Sequence, residues 1–520
     1  MISSNYAYRS PLDAAPPAPG QDLGEPAASR VVLVLIDALR YDTSMDAGVM
    51  PTLADLRQSG ASARMHSRPP SYSAPGYSTI LTGAWPEING GPAFNQDYED
   101  IPVITQDNIF SAAHRAGLAT AISAYDWFEK LVPQSDVDFS FYTAGYDAAA
   151  DRQVVDAALP WLKDGLSQLT LIHIDQVDYA GHYEGGPASP GWDASASRAD
   201  ALLAEILQQL DLQKDTLIVL SDHGQIDAGG HGGQDAIVLL EPFVMAGKGV
   251  QPGTYADMNM VDVAPTISAL LGANLPATTQ GRVLQEMLTL PQAASANLDE
   301  ATHEQQSALV TAYAKAVLPS ARYNIQENAQ VDQFQQALAD IRSQRLLRER
   351  VWRSVVAALF LGLCVTLLIR AGKRAVPWLL AGLGYTSLFH LRYALIDRKV
   401  YSLSSVTGET ELIVYIAVTT LLALLIAWLV TVVVQKPFQA SPLAAARWTV
   451  GLGLTTIFLT SLPVVLSFVL NGALVTWTLP DYFTSFLALI SLIEVLVLSA
   501  SSLLLAVASM IISRLSRKRI

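Results

Sequence analysis

The chain has 520 residues, a formal charge of −14 and a single cysteine, Cys364. That length exceeds one ordinary domain and allows a large α/β core, while the acidity excludes a general polyanion binder, which needs a basic face. One cysteine excludes an intrachain disulfide, and a positive mean hydropathy beside so much charge splits the chain into an acidic part before residue ~340 and apolar runs after it.

Residues 1–29 are rich in Pro, Ala and Gly and read as an irregular N-terminal arm, with no apolar signal-peptide core. VVLVLID (31–37) then reads as a buried strand, continuous and β-branched. LTLIHID (169–175), TLIVLSD (216–222) and AIVLLEPFVMAG (236–247) read the same way. Helical patterns over 50–60, 109–116 and 197–210 lie between them. The alternation predicts an α/β domain over 30–290: a mostly parallel sheet with helices on both faces. Such sheets bind ligands beyond the carboxyl ends of their strands. Asp37, Asp175, Asp178 and Asp222 sit at or just past those ends.

Residues 291–350 have helical spacing and read as a stalk, ending in the basic stretch IRSQRLLRERVWR. Apolar runs follow near 352–369, 375–392, 411–434, 448–471 and 482–513. A span needs ~20 apolar residues, which the third and fourth runs supply. The expectation over 351–520 is an all-α, multi-pass membrane bundle of about five spans. Pro463 marks a kink, and Glu494 is an acid deep in the last run. Basic residues in 370–374, 435–447 and 513–519 ask to be cytoplasmic. Five spans satisfy all three and put the α/β domain outside. The arginines before the first span then also lie outside, and no segment starts export, which together lead to the expectation of a further membrane helix upstream. A cytoplasmic α/β domain is the alternative.

Three short motifs carry chemistry. SDHG (221–224) can place Asp222 and His223 on one cation, although many Asp-His pairs only cap helices. DYAGH (178–182) can bring Asp178 and His182 together from one helical turn. GGHGG (229–233) gives His231 little to pack against, as in a ligand loop or a surface loop. With Asp37 these make three Asp and three His, enough for two cations. Zinc fits the mixture best, with manganese as a substitute. A pair of cations suits in-line displacement at phosphorus. The hydroxyl nucleophile belongs at a helix start, and PPSYSAPGYSTILTG (69–83) offers Ser73 there. Ser71 or Ser73 acting only as an N-cap is the rival reading. Asn95, in GGPAFNQ, offers an amide donor for a phosphoryl oxygen, or else a turn.

In this order the motifs resemble the alkaline phosphatase superfamily, most of all the GPI ethanolamine phosphate transferases and next the type I phosphodiesterase/nucleotide pyrophosphatases. VVLVLIDALRYD (31–42) is similar to the transferases' opening strand, and YRSPL (8–12) to the segment that joins their N-terminal membrane helix to the catalytic domain. SYSAPGYSTILTG (71–83) resembles the nucleophile segment, FNQ (94–96) the phosphoryl-binding asparagine, HIDQVDYAGH (173–182) the Asp-x-x-Gly-His strand end, and VDVAPTISALLG (261–272) the helix that follows. The resemblance covers about 8–290, and the bundle only in architecture. It implies one metal held by Asp178, His182 and His231, and a second held by Asp37, Asp222, His223 and the nucleophile Ser73. It implies transfer of a phosphoethanolamine-like headgroup from a phospholipid donor to a glycan or lipid acceptor through a phosphoserine. A hydrolase with the same site is the alternative. A dead binding module is a third reading, against which all six metal side chains are present. Tyr77 stands where a sulfatase needs Arg, which argues against that activity. The stalk and bundle are shorter than those of the eukaryotic transferases, which leaves a GPI acceptor open.

Overall fold

The computed structural model describes residues 2–319, 331–406, 408–435 and 441–517. It divides into two compact units, one of Met1–Arg345 with Leu474–Leu479, the other of Leu346–Ala473 with Pro480–Ile520.

The first unit is built on nine strands: β1 (Arg30–Ile36), β2 (Ala61–His66), β3 (Thr120–Tyr125), β4 (Phe139–Thr143), β5 (Leu169–Ile174), β6 (Asp215–Leu220), β7 (Leu240–Gly247), β8 (Gly253–Thr254) and β9 (Met258–Asn259). Their order is β4-β3-β5-β1-β6-β7-β2-β8, with β9 also paired to β2. The pairs from β4 to β6 are parallel, and β7 runs antiparallel to both β6 and β2. The expected mostly parallel sheet is present.

β1 explains its own sequence. It is hydrogen-bonded on both sides and covered on both faces, so every position from Val31 to Ile36 is apolar and buried. Val31, Leu33 and Leu35 face a core shared with Tyr77, Ile80, Phe110 and Ile267. Val32, Val34 and Ile36 face the opposite core with Val154, Val155, Ala199 and Leu203. Helices Ser73–Thr82, Ile109–Arg115 and Val263–Leu271 contribute to the first layer, and Ala148–Asp164 and Pro190–Leu207 to the second.

Two elements differ from the sequence reading. The run 236–247 is a strand only from Leu240, because the residues before it belong to the loop that follows β6. The helix expected over 197–210 begins at Pro190, where a proline in the first turn costs no hydrogen bond. Helix Gln292–Val317 buries Leu298, Leu309, Val310 and Tyr313, and its Gln305 donates to the carbonyls of Ala277 and Thr279.

Among the described residues, four helical stretches are long and apolar enough to cross a membrane: Val331–Ile396, which begins in the first unit, and Thr410–Val434, Pro442–Asn471 and Tyr482–Ser516 in the second. The chain is a membrane protein. The first stretch includes both shorter runs of the sequence reading, joined through a turn at Gly372–Arg374. Helix Pro442–Thr460 breaks at Ser461 and restarts at Leu462 with Pro463 in its first turn. The basic segments 435–447 and 513–519 lie partly outside the described residues. Side chains such as Leu359, Ile369, Leu496 and Leu504 face outward, which only a lipid-like solvent favours. Inside, small residues allow close approach, as a Cβ on Gly453 would meet the Ser502 Oγ at 2.4 Å. Glu494 is 3 % exposed and faces Tyr385.

Gly83 ends the helix that starts at Ser73, with φ at +68°, and a Cβ there would meet the Thr279 Oγ1 at 2.0 Å. Gly83→Ala therefore combines left-handed strain with a clash. The expected loss is about 2–4 kcal/mol, read as a lowered melting temperature of the purified chain.

Candidate active site

The sheet gathers the site by register. β1 lies between β5 and β6, and pairs Ile36 with Ile174 and Leu35 with Leu220. The next residues, Asp37, Asp175 and the Ser221-Asp222-His223 segment, must therefore emerge side by side. The Asp37 N–H extends the ladder by donating to the Ile174 carbonyl at 2.8 Å. Ala38 then takes φ +59°, an uncommon angle for a residue with a Cβ, and its N–H donates to the Asp222 Oδ1 at 3.2 Å.

Helix Gln176–Tyr183 carries Asp178 and His182 one turn apart on one face. Its first turn is held by Asp151, which accepts from the Asp175 and Gln176 N–H groups at 2.8 and 3.0 Å. Gly181 is required for a close approach, because a Cβ there would lie 1.8 Å from the Gln225 Oε1. Gln225 in turn donates to the Asp178 Oδ1 at 2.6 Å.

All eight residues singled out in the sequence converge. His223 Nε2 lies 3.5 Å from Asp37 Oδ1, 3.4 Å from Asp222 Oδ2 and 3.2 Å from Ser73 Oγ. His182 and His231 approach at 3.0 Å between their Nε2 atoms, and both lie beside Asp178, at 3.5 and 3.6 Å. The rings of His223 and His231 stack with centroids 4.0 Å apart, so the two groups adjoin. Asn95 Oδ1 accepts from the Ala74 N–H at 3.0 Å, which turns its Nδ2 toward the Ser73 Oγ at 3.5 Å. Ser73 is the first residue of its helix, and Tyr72 is the N-cap. Neither serine caps that helix through its side chain. Ser71 instead donates to the Gly233 carbonyl at 2.8 Å.

The donor set fits divalent cations. Asp37 Oδ1 and Asp222 Oδ2 are buried and receive no hydrogen bond. His223 Nδ1 donates to the Gly224 carbonyl at 3.1 Å, which leaves its Nε2 lone pair pointing at those two oxygens. His231 Nδ1 donates to the Ser71 carbonyl at 3.2 Å, which leaves its Nε2 facing His182 Nε2 and Asp178 Oδ1. Acceptors facing acceptors, without a hydrogen between them, are costly unless a cation joins them. Burial pushes Asp37 up to about 7, with repulsion from Asp178 adding to it, and burial raises Asp222 and Asp175 well above the carboxylate range. Burial also lowers His223 and His231 to about 4, which keeps them neutral ligands at pH 7. A dication among these groups reverses the carboxylate shifts.

Sequence reasoning missed Tyr77 and His173. The Tyr77 hydroxyl donates to Asp37 Oδ2 and lies 2.9 Å from His173 Nε2, which is 3.2 Å from the same oxygen. They hold the outer oxygen of Asp37, leaving Oδ1 to face His223. Asp37, His173 and Asp175 form a third cluster of ligand-type atoms, but the Tyr77 hydroxyl sits within hydrogen-bond reach of its Asp37 and His173. The available signal was a histidine in an otherwise apolar strand.

With this geometry in view, comparison with known proteins is informative. The family profile of type I phosphodiesterase / nucleotide pyrophosphatase matches residues 31–340, more than half of the chain. The chain belongs to this family. The match bears out the phosphodiesterase/nucleotide pyrophosphatase likeness and the enzyme class that the motifs suggest. The phosphodiesterase-family chain is also 27% identical over 307 residues to human GPI ethanolamine phosphate transferase 2, catalytic subunit, covering 53% of this chain and 30% of the relative. It is 26% identical over 324 residues to mouse GPI ethanolamine phosphate transferase 3, catalytic subunit, covering 55% and 29%. It thus spans less than a third of the length of these relatives. Among solved structures, human ectonucleotide pyrophosphatase / phosphodiesterase 5 aligns with TM-score 0.38 and 16% identity, over 47% of this chain and 95% of that one.

Asp151→Ala would leave two buried N–H groups without an acceptor at the head of the helix that carries Asp178 and His182. The expected cost is about 1–3 kcal/mol. The rise in melting temperature on adding zinc should also shrink relative to the unsubstituted chain, as measured by paired thermal melts.

Proposed function

We propose that this membrane enzyme moves a phosphoethanolamine-like headgroup from a phospholipid donor to a hydroxyl on a glycan or lipid acceptor, through a diester on Ser73. The observation that carries this reading is the placement of one buried hydroxyl. Ser73 Oγ stands at a helix N-terminus, 3.2 Å from His223 Nε2 and 3.5 Å from Asn95 Nδ2.

Asp178, His182 and His231 would hold one cation, and Asp37, Asp222 and His223 with Ser73 the other. Zinc suits the imidazole-rich group, with manganese as the alternative. Bound dications supply Lewis acidity toward the serine hydroxyl and the phosphoryl oxygens. In the first step Ser73 Oγ bonds to phosphorus and the bond from phosphorus to the glyceride oxygen breaks. The serine proton leaves with the diacylglycerol. Asn95 donates from Nδ2 to a non-bridging oxygen, and the helix N-terminus favours its negative charge. In the second step an acceptor oxygen displaces Ser73 Oγ, and the acceptor's proton returns to the serine.

The family match also supports a phosphodiesterase reading, in which water takes the second step. For topology we favour an extracytoplasmic catalytic domain, with the basic segments 370–374, 435–447 and 513–519 on the cytoplasmic side and five crossings, two of them from the stretch Val331–Ile396.

The test uses phosphatidylethanolamine labelled in its headgroup, in nanodiscs, with and without a hydroxyl acceptor. Label should appear on the acceptor, stop with chelator and return with zinc. Ser73→Ala should lower transfer by at least about 10³-fold, as expected for loss of a nucleophile. Label released only as free phosphoethanolamine would favour the hydrolase, and full activity in Ser73→Ala would end both readings.

A further inference from the structure

A cavity of about 630 Å³ opens beside the serine. Asn95 is the shared wall, since it lines this cavity and also reaches Ser73 Oγ at 3.5 Å. The other walls include Tyr6, Gln96, Asp97, Asp100 and Trp127. Gln96 fixes the Tyr6 side by donating to its carbonyl at 3.1 Å. Trp127 packs edge-on against Tyr125, with centroids 5.1 Å apart.

The chemistry of these walls is wrong for a phosphate. Asp97 and Asp100 are exposed and line the cavity. The neighbouring base, Lys130, is turned onto the Tyr98 ring at 4.6 Å. Two like charges 4 Å apart repel by about 1 kcal/mol even in water. An anionic diester seated at Ser73 would gain nothing from such a wall. A cationic group projecting from the phosphorus past Asn95 would gain from it. Carboxylates with indole and phenol rings are the surroundings that favour an ammonium group, through charge pairing and cation–π contact.

We propose that this cavity is the headgroup subsite, which takes the ammonium end of a zwitterionic phosphodiester while its phosphorus lies between Ser73 and Asn95. The inference rests on Ser73 as the attacking group and adds what selects the donor. A primary ammonium and a quaternary ammonium share this chemistry, and the assay separates them.

The experiment uses the full chain in detergent micelles and the release of nitrophenolate from three diesters: 4-nitrophenyl aminoethyl phosphate, 4-nitrophenyl phosphocholine and the uncharged-tail control, 4-nitrophenyl propyl phosphate. At least one ammonium ester should exceed the propyl ester in kcat/KM by about tenfold, the worth of one such contact. The preference should fall as salt rises. The double variant Asp97→Asn/Asp100→Asn should reduce it by about tenfold, chiefly through KM of the ammonium ester. Both aspartates are exposed, so the double variant is expected to fold. Equal kcat/KM for the ammonium esters and the propyl ester in the unsubstituted chain would overturn the subsite while leaving the Ser73 reading intact. So would a preference that survives in the double variant. If no diester is turned over above the Ser73→Ala background, the functional reading fails and takes this inference with it.

Discussion

β1 is fixed between two parallel neighbours, and the active-site arrangement follows from that constraint. The pairing with β5 and β6 leaves no freedom in where Asp37, Asp175 and Asp222 leave the sheet. The apolar layers on both faces then keep water from two of the carboxylate oxygens. Burying acceptors against each other costs energy that the rest of the fold must supply, and a pair of dications recovers it. The fold thus does two jobs at once. Its core stabilises the sheet, and the sheet holds charged groups in a geometry they would not choose.

Much of this was legible in the sequence because the central strands announce themselves. Continuous β-branched runs ending in Asp marked β1, β5 and β6, and the short His motifs fell directly after two of them. The outer strands did not. β2, with sequence ASARMH, mixes polar and apolar residues as an outer strand does, so it lacks the buried signature. The start of β7 at Leu240 was hidden, because the loop before it is itself apolar around Val238. The side chains that converge beyond the strand ends could be found, but their supports could not. Tyr77 stood out only where a sulfatase needs Arg, and His173, Asp151 and Gln225 were not singled out. Only contacts between distant segments reveal what they hold.

The second unit obeys a different solvent. Its outward face is apolar, so burial cannot sort its residues as it does in the sheet. Helices there approach through Gly and Ser, as at Gly453 with Ser502, and break where the backbone needs relief, as at Ser461. The apolar runs and the kink at Pro463 were legible for this reason, while the packing between helices was not. Helix Val331–Ala371 carries charged and apolar stretches in one continuous element.

Asn95 shows how little tolerance the reaction centre has. Its carbonyl end is committed to the Ala74 N–H, and so the opposite end must present hydrogens toward Ser73. Aspartate has the same shape but would turn a second acceptor and a full negative charge toward the Ser73 Oγ. Glutamine keeps the amide but is one methylene too long to grip the same N–H from the same Cα. The position therefore selects for a side chain with two unlike ends at one fixed length, a requirement that asparagine alone meets.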